Sequence, residues 1–172
     1  MDLTAGYHQV RMQANDTWKI VLKTKFGLFE WMVMPFGLTN APTTFMCFIN
    51  DIFHPHLGKI VVIYLDDILI FSRTWSEHMK HVRQILQLLH ENTLQVKEKK
   101  PFFGKQFVQY LGFVIDKKRI RPDAARIQAL AQWPVPTSVV QLKSFMVDIN
   151  YYHKFVSHFS QWEIPLNQLA NT

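Results

Sequence analysis

The spacing of apolar positions changes period along the chain, and each change marks an element. Between residues 18 and 33, Trp18, Ile20 and Leu22 alternate with Lys19, Val21 and Lys23, and a Phe26-Gly27 turn leads into residues 28–33. A period of two predicts a hairpin with one wetter face. Residues 35–42 read as a loop, with Asn40 as an N-cap and Pro42 in the first helical turn, where its missing N–H costs little. Phe45, Phe48, Ile49, Ile52 and Phe53 then follow helical spacing, and Pro55 ends the helix. Two almost unbroken apolar runs come next, Ile60-Val61-Val62-Ile63-Tyr64-Leu65 and Ile68-Leu69-Ile70-Phe71. Runs this rich in β-branched and aromatic residues predict a second hairpin, with strands buried on both faces.

Thr74-Trp75-Ser76-Glu77 has the form of a capping box, and Met79, Val82, Ile85, Leu86 and Leu89 give one apolar face to the helix it starts. Residues 107–115 read as strand interrupted at Gly112, and Asp123 caps a short helix through Ile127 and Leu130. Trp133-Pro134-Val135-Pro136 is a stiff connector. Beyond it, Val139, Leu142, Phe145, Met146 and Ile149 define another amphipathic helix, and Tyr152, Phe155, Val156 and Phe159 a last helical stretch. The order from Trp18 is strand-strand, helix, strand-strand, helix, strand, helices, which predicts an α+β core with a helical appendix.

Composition narrows the function classes. The 172 residues suit one compact domain or a domain plus a small lobe, and 48% hydrophobic content excludes a disordered chain. Cys47 is the only cysteine, so no intrachain disulfide can form and a reducing compartment is expected. No apolar run approaches the roughly 18 residues of a membrane span, and the first residues lack a signal-peptide pattern, so an intracellular, non-secreted protein is expected. The net charge of +6 favours a polyanionic partner. Lys97, Lys99, Lys100, Lys105, Lys117, Lys118, Arg119 and Arg121 crowd into one part of the chain, a density that suits phosphate contacts as well as a solvated face. His78 and His81 are three apart on a helix, but no third ligand lies at a zinc-site spacing.

The chemistry concentrates at Asp66 and Asp67, between the two apolar runs. Asp-Asp is poor hairpin chemistry, since the favoured two-residue turns need positive φ. The carboxylates also repel, by about 1 kcal/mol at about 4 Å in water and several times that near a low-dielectric core. A costly pair at the tip of an apolar hairpin suggests a cation, and a divalent metal is the simplest candidate. An ordinary exposed turn is the competing reading.

Three ordered blocks carry a resemblance: Asp2-Leu3-x-x-Gly6-Tyr7-His8-Gln9, then Met34-Pro35-Phe36-Gly37-Leu38-Thr39-Asn40-Ala41-Pro42-x-Thr44-Phe45, then Tyr64-Leu65-Asp66-Asp67-Ile68-Leu69-Ile70-Phe71-Ser72. Tyr110-Leu111-Gly112-Phe113, the Trp133-Pro134-x-Pro136 connector, Ser144-Phe145 and Asn150-Tyr151-Tyr152-x-Lys154-Phe155 fit the same pattern. The chain resembles the reverse transcriptase of gypsy-type LTR retrotransposons, from Asp2 to about Leu169.

The resemblance implies a polymerase palm over residues 1–120, a ferredoxin-like antiparallel sheet with helices on one face, lacking fingers, and small thumb or connector helices over residues 121–172. It implies an RNA-directed DNA polymerase fragment of a pol polyprotein, or else an inactive remnant that at most binds nucleic acid. Asp2, Asp66 and Asp67 would be catalytic and would hold two Mg²⁺ ions, with Mn²⁺ as a substitute. Tyr7, Phe36 and Gly37 would shape the deoxynucleotide pocket, with Tyr7 excluding a 2′-hydroxyl, and Tyr64, Leu111 and Gly112 would contact the primer. Templates, primers, deoxynucleoside triphosphates and other pol domains are the implied partners. A lysine among residues 97–100 would serve as the acid for pyrophosphate, with the choice left open. Asp2 is close enough to the first residue to fray unless something pins it.

Overall fold

The computed structural model describes residues 1–97 and 103–171. They form two compact units, Met1–Gly104 and Lys105–Thr172. In the first, a 3₁₀ turn at Gly6–Gln9 and another at Ala14–Lys19 precede β1 (Val21–Thr24), β2 (Gly27–Glu30), α1 (Ala41–Phe53), β3 (Val61–Tyr64), β4 (Asp67–Ile70) and α2 (Trp75–Glu91). In the second, β5 (Phe107–Tyr110), β6 (Phe113–Asp116) and β7 (Ile120–Pro122) precede α3 (Ala124–Ala131), α4 (Val139–Asn150) and α5 (Phe159–Ala170), with a 3₁₀ turn at His153–Phe155. All the described ladders are antiparallel: β1-β2, β3-β4 and β5-β6-β7.

The core of the first unit is built where α1 and α2 meet the second hairpin. Phe45, Ile49 and Phe53 of α1, Ile85 and Leu89 of α2, and Val61, Ile63 and Ile68 of the hairpin are buried together with Leu3, Met34 and Leu94. The three α1 residues follow the four-residue spacing that keeps side chains on one helix face. Of the expected α2 stripe, Val82, Ile85 and Leu89 are buried, but Met79 and Leu86 sit at its exposed margin. Asn40 is the N-cap residue of α1 without a side-chain capping bond, and Pro42 lies in the first turn as its fixed φ favours.

Two strand expectations need correction. β3 is buried on one face only: Val61 and Ile63 point into the core, while Val62 is 40% and Tyr64 52% exposed. The continuous apolar run gave no alternation to read, but only one layer of helices covers this hairpin. The first hairpin is shorter than its alternation implies. Residues 14–19 form the 3₁₀ turn, the connection is Lys25-Phe26, and both faces of β1 and β2 are largely exposed.

In the second unit the interruption at Gly112 is a turn, with Tyr110 opposite Phe113. The strands belong with the following helices in one compact unit, Lys105–Thr172. Leu142, Phe145, Met146 and Ile149 of α4 are half-buried, as their spacing requires, whereas Val139 is exposed. Trp133 of the connector packs its ring 5.9 Å from Phe145.

The capping box of α2 is complete. The Thr74 hydroxyl accepts from the Glu77 N–H at 3.3 Å, and Glu77 Oε2 accepts from the Thr74 N–H at 3.1 Å. The Thr74 hydroxyl also donates to Glu77 Oε2 at 3.0 Å, and this bond first, then that of the Thr74 N–H, holds the Glu77 carboxyl below its ordinary value of 4.5. The box therefore stabilises the fold above pH 4.5 and fades as pH falls through the lowered Glu77 value. Thr74→Ala should lower Tm by about 2–4 °C at pH 7. The difference from wild type should shrink at pH 3, in thermal melts at both pH values.

Candidate active site

The second hairpin sets the site by its register. Val61 pairs with Ile70, Ile63 with Ile68 and Tyr64 with Asp67, so the two-residue connection is Leu65-Asp66 rather than Asp66-Asp67. Asp67 is the first residue of β4, within the ladder. The positive φ of the turn falls on Leu65, at 49°. A branched residue there is strained by about 1–3 kcal/mol and persists only when its surroundings hold it. Here the Leu65 N–H donates to Met46 Sδ of α1 at 3.0 Å, and Asp66 O accepts from the Leu3 N–H at 2.9 Å.

That last bond belongs to a short bridged segment at residues 1–4. Met1 exchanges two 2.8 Å backbone bonds with Ile68, and Asp2 bridges Asp67 in antiparallel sense. On its other side the segment pairs through Leu3 with Val96, with Thr4 N–H donating to Gln95 O and Lys97 N–H to Asp2 O, each at 2.9 Å. Leu3 is fully buried. Asp2 is thus pinned on both sides beside Asp67. Gln9 reinforces the arrangement: its side-chain amide donates to Thr4 O and Gln95 O, and its carbonyl accepts from the Gln95 N–H.

The carboxylates sense one another. Burial pushes the Asp66 carboxyl above the usual range; Lys97 opposes this and Asp2 adds to it. Burial also raises Asp67, followed by the charge of Asp2, a hydrogen bond with the Asp2 side chain and the charge of Asp66. Asp66 Oδ1 is buried and has no hydrogen-bond partner. A desolvated carboxylate oxygen without a donor, with Asp2 and Asp67 beside it, fits a divalent cation that takes hard oxygen ligands. Among the described residues, no three acidic, histidine or cysteine groups already close into a finished metal cage.

Tyr7, in the 3₁₀ turn at Gly6–Gln9, is half-buried. Its ring meets Phe45 edge-on at 5.3 Å and Phe36 at 5.1 Å. Phe36 is 62% exposed and Gly37 has φ 96°, so both lie on an open loop. Tyr64 is exposed on the strand that carries the pair. Leu111 and Gly112 form the β5–β6 turn of the second unit, with φ of 49° and 75°. Of the lysines considered as acids, Lys97 lies close enough to Asp66 to lower its pKa, and Lys99 and Lys100 lie outside the described residues. His78 and His81 both face the Ser72 hydroxyl, at 3.4 and 2.7 Å through Nδ1.

Gly6 is the residue whose place against Asp66 the sequence did not disclose. It is buried in its 3₁₀ turn, and a Cβ there would overlap Asp66 Oδ1 and stand 2.9 Å from Asp66 Cγ and 3.0 Å from Phe45 Cζ. The glycine makes the space that Asp66 occupies. Its place in the first motif block was the available signal, but only the fold shows the carboxylate behind it.

A profile of the reverse transcriptase (RNA-dependent DNA polymerase) family matches residues 1–115. The chain is 37% identical over 170 residues to the retrovirus-related Pol polyprotein from transposon opus of Drosophila melanogaster, covering 99% of this chain and 17% of that one. To the transposon Tf2-3 polyprotein of Schizosaccharomyces pombe it is 37% identical over 98% of this chain, and to the Pol polyprotein from transposon gypsy of D. melanogaster 32%. It spans 13% and 16% of those polyproteins. Among solved structures, a foamy viral protease-reverse transcriptase in complex with double-stranded DNA matches with TM-score 0.87 and 25% identity, over 99% of this chain and 30% of that one. The same kind of protein in complex with an RNA/DNA hybrid matches with TM-score 0.84, over 99% of this chain and 23% of that one. These likenesses cover nearly the whole chain, whereas the family profile ends at residue 115, and they agree with a palm-like α+β fragment. The motif blocks, the pinned acidic hairpin and the profile over residues 1–115 converge, and the chain belongs to the reverse transcriptase (RNA-dependent DNA polymerase) family.

Proposed function

We propose that this chain is the palm-bearing part of an RNA-directed DNA polymerase from a retrotransposon pol polyprotein, with Asp2, Asp66 and Asp67 as the acids that hold its catalytic Mg²⁺ or Mn²⁺ ions. The observation that carries the reading is the buried, partnerless Asp66 Oδ1 beside Asp2 and Asp67. A pair of such ions, when bound, activates a primer 3′-hydroxyl and stabilises the leaving pyrophosphate. The protein's own part is to keep three charges together that would otherwise separate. The backbone bridges on either side fix Asp2, the strained turn fixes Asp66, and the ladder fixes Asp67.

Tyr7, on Phe45 and against Phe36, would form the floor of the nucleotide pocket, with Gly37 giving the loop its turn. Tyr64, and in the second unit Leu111 and Gly112, would hold the primer strand. The exposed bases Lys117, Lys118 and Arg119 suit a nucleic-acid backbone. Lys97, through its pull on Asp66, is the described candidate for the acid that serves pyrophosphate. Tyr7→Ala should lower discrimination against ribonucleotides by about tenfold or more, read as the ratio of kcat/KM for matched deoxy- and ribonucleoside triphosphates. An unchanged ratio would return Tyr7 to a packing role.

The test of the whole reading is templated primer extension with Mg²⁺ or Mn²⁺, wild type against Asp66→Asn. Extension by wild type and none by the variant is expected. Equal extension would mean that the acids do nothing. The net charge of +6 supports one alternative, a basic module that binds nucleic acid without polymerising. Salt-sensitive binding to a primer–template without extension would establish that alternative.

A further inference from the structure

The turn between β5 and β6 is held in a way its own sequence does not explain. Leu111 and Gly112 both have positive φ, 49° and 75°. A two-residue turn of that kind favours Asn-Gly or Asp-Gly, and leucine is a poor first residue for it. The support comes from residues 40 positions away. Tyr151 Oη donates to Leu111 O at 2.8 Å, and Tyr152 Oη donates to Gly112 O at 3.3 Å. Gly112 O also accepts from the Asp123 N–H at 3.0 Å. Two consecutive tyrosines thus engage two consecutive carbonyls of one turn.

Their rings grip the same hairpin. Tyr151 stacks on Phe113 at 5.1 Å and 25°, Tyr152 meets it edge-on at 5.4 Å, and the two tyrosine rings meet each other at 85°. Gly112 is needed here for space as well as for φ, because a Cβ would stand 2.7 Å from Tyr152 Oη. Packing alone requires the rings but not the hydroxyls, and phenylalanine would serve it. The aim of both hydroxyls at adjacent carbonyls is the feature left over.

We propose that Tyr151 and Tyr152 are positioning residues: a hydroxyl latch, at the C-terminal end of α4, that sets the Leu111–Gly112 turn in the conformation that receives a primer strand. The inference rests on the primer role proposed for that turn. It makes primer affinity depend on two side chains that need not touch the primer.

The test replaces hydroxyls and keeps rings: Tyr151→Phe, Tyr152→Phe and the double variant, with Val140→Ala on the exposed side of α4 as control. Fluorescence anisotropy with a labelled DNA primer on an RNA template reads affinity. Hydrogen exchange at residues 111–113 reads the turn, and primer extension reads KM and kcat separately. Each single variant should weaken primer binding about three- to tenfold, the scale of one ordinary hydrogen bond. The double variant should exchange faster at the turn and raise KM for primer–template, with kcat and Tm close to wild type.

Wild-type affinity and exchange in the double variant would overturn the latch. So would affinity lost only in step with Tm, with exchange raised throughout residues 105–171, since that is the behaviour of packing. A wild-type chain that binds primer–template but never extends it refutes the polymerase reading alone, and the latch is then decided by affinity and exchange. A wild-type chain that binds no primer–template overturns the latch together with the primer role of its turn.

Discussion

Gly6→Ala is expected to damage both the fold and the acidic site, although it adds one methyl group. That methyl would enter a buried position between the Asp66 carboxylate and the ring of Phe45, which is itself fully buried. Neither neighbour yields easily. Phe45 is locked in the core with Ile49 and Ile85, and Asp66 hangs from a turn tied by Met46 and by the Leu3 amide. Overpacking of this kind costs about 1–3 kcal/mol. The carboxylate is the more flexible of the two, so it should be driven from its place and metal binding should weaken along with stability. Thermal melting and Mn²⁺ titration of the same samples measure both effects. A variant with wild-type Tm and wild-type Mn²⁺ affinity would show that the pocket has slack and that Gly6 does not shape the site.

How much of this was legible in the sequence follows from how local each feature is. The capping box at Thr74, the cap at Asp123 and the α1 stripe of Phe45, Ile49 and Phe53 depend on neighbours within about one turn, and they occur where their spacing puts them. The acidic pair was visible as a cost that needed a cation, and the motif blocks attached Asp2 to it. Register was not visible. Whether Asp66 and Asp67 share the turn or straddle its edge depends on which residue of one strand faces which of the other, and a slip of one residue reverses every side chain. The ladder that decides it also includes Asp2, which is 65 positions from Asp67 by their numbers. Burial of one strand face was equally hidden, because Val62 and Tyr64 are as apolar or aromatic as their buried neighbours. The latch at Tyr151 and Tyr152 was legible only as part of a family motif, since its hydrogen bonds join residues that no local pattern connects.

Asp66→Asn should reverse its effect on stability when metal is added, and this inversion separates a ligand from a merely acidic residue. Without metal, the wild-type carboxylate is partly desolvated, stands near Asp2, and has one oxygen with no donor. Lys97 offsets only part of this. Replacing the charge by a neutral amide of the same shape removes the repulsion. After solvent screening the gain should be below about 1 kcal/mol, a Tm equal to or up to about 2–4 °C above wild type. With Mg²⁺ or Mn²⁺ the order should change. A ligand that binds only the folded chain stabilises it by about 2.7 kcal/mol at a concentration of about 100 Kd, and that gain belongs to the protein that can bind. Wild type should rise past the variant, while the variant should barely move. Extension should fall in the variant by more than the roughly 10–100-fold that outer-shell partners of a metal site cost. Ca²⁺ supplies a readout without turnover, since its oxygen preference allows binding in a roomier site. If metal raises both melting temperatures equally, Asp66 is not a ligand and the raised pKa reflects burial alone. If the variant is much less stable than wild type without metal, Asp66 is a structural acid whose partner lies in the fold itself. The predicted crossing requires a chain that tolerates a destabilising carboxylate in the free state and is stabilised by the same group once a cation arrives, just as the turn that carries Asp66 tolerates a positive φ at Leu65.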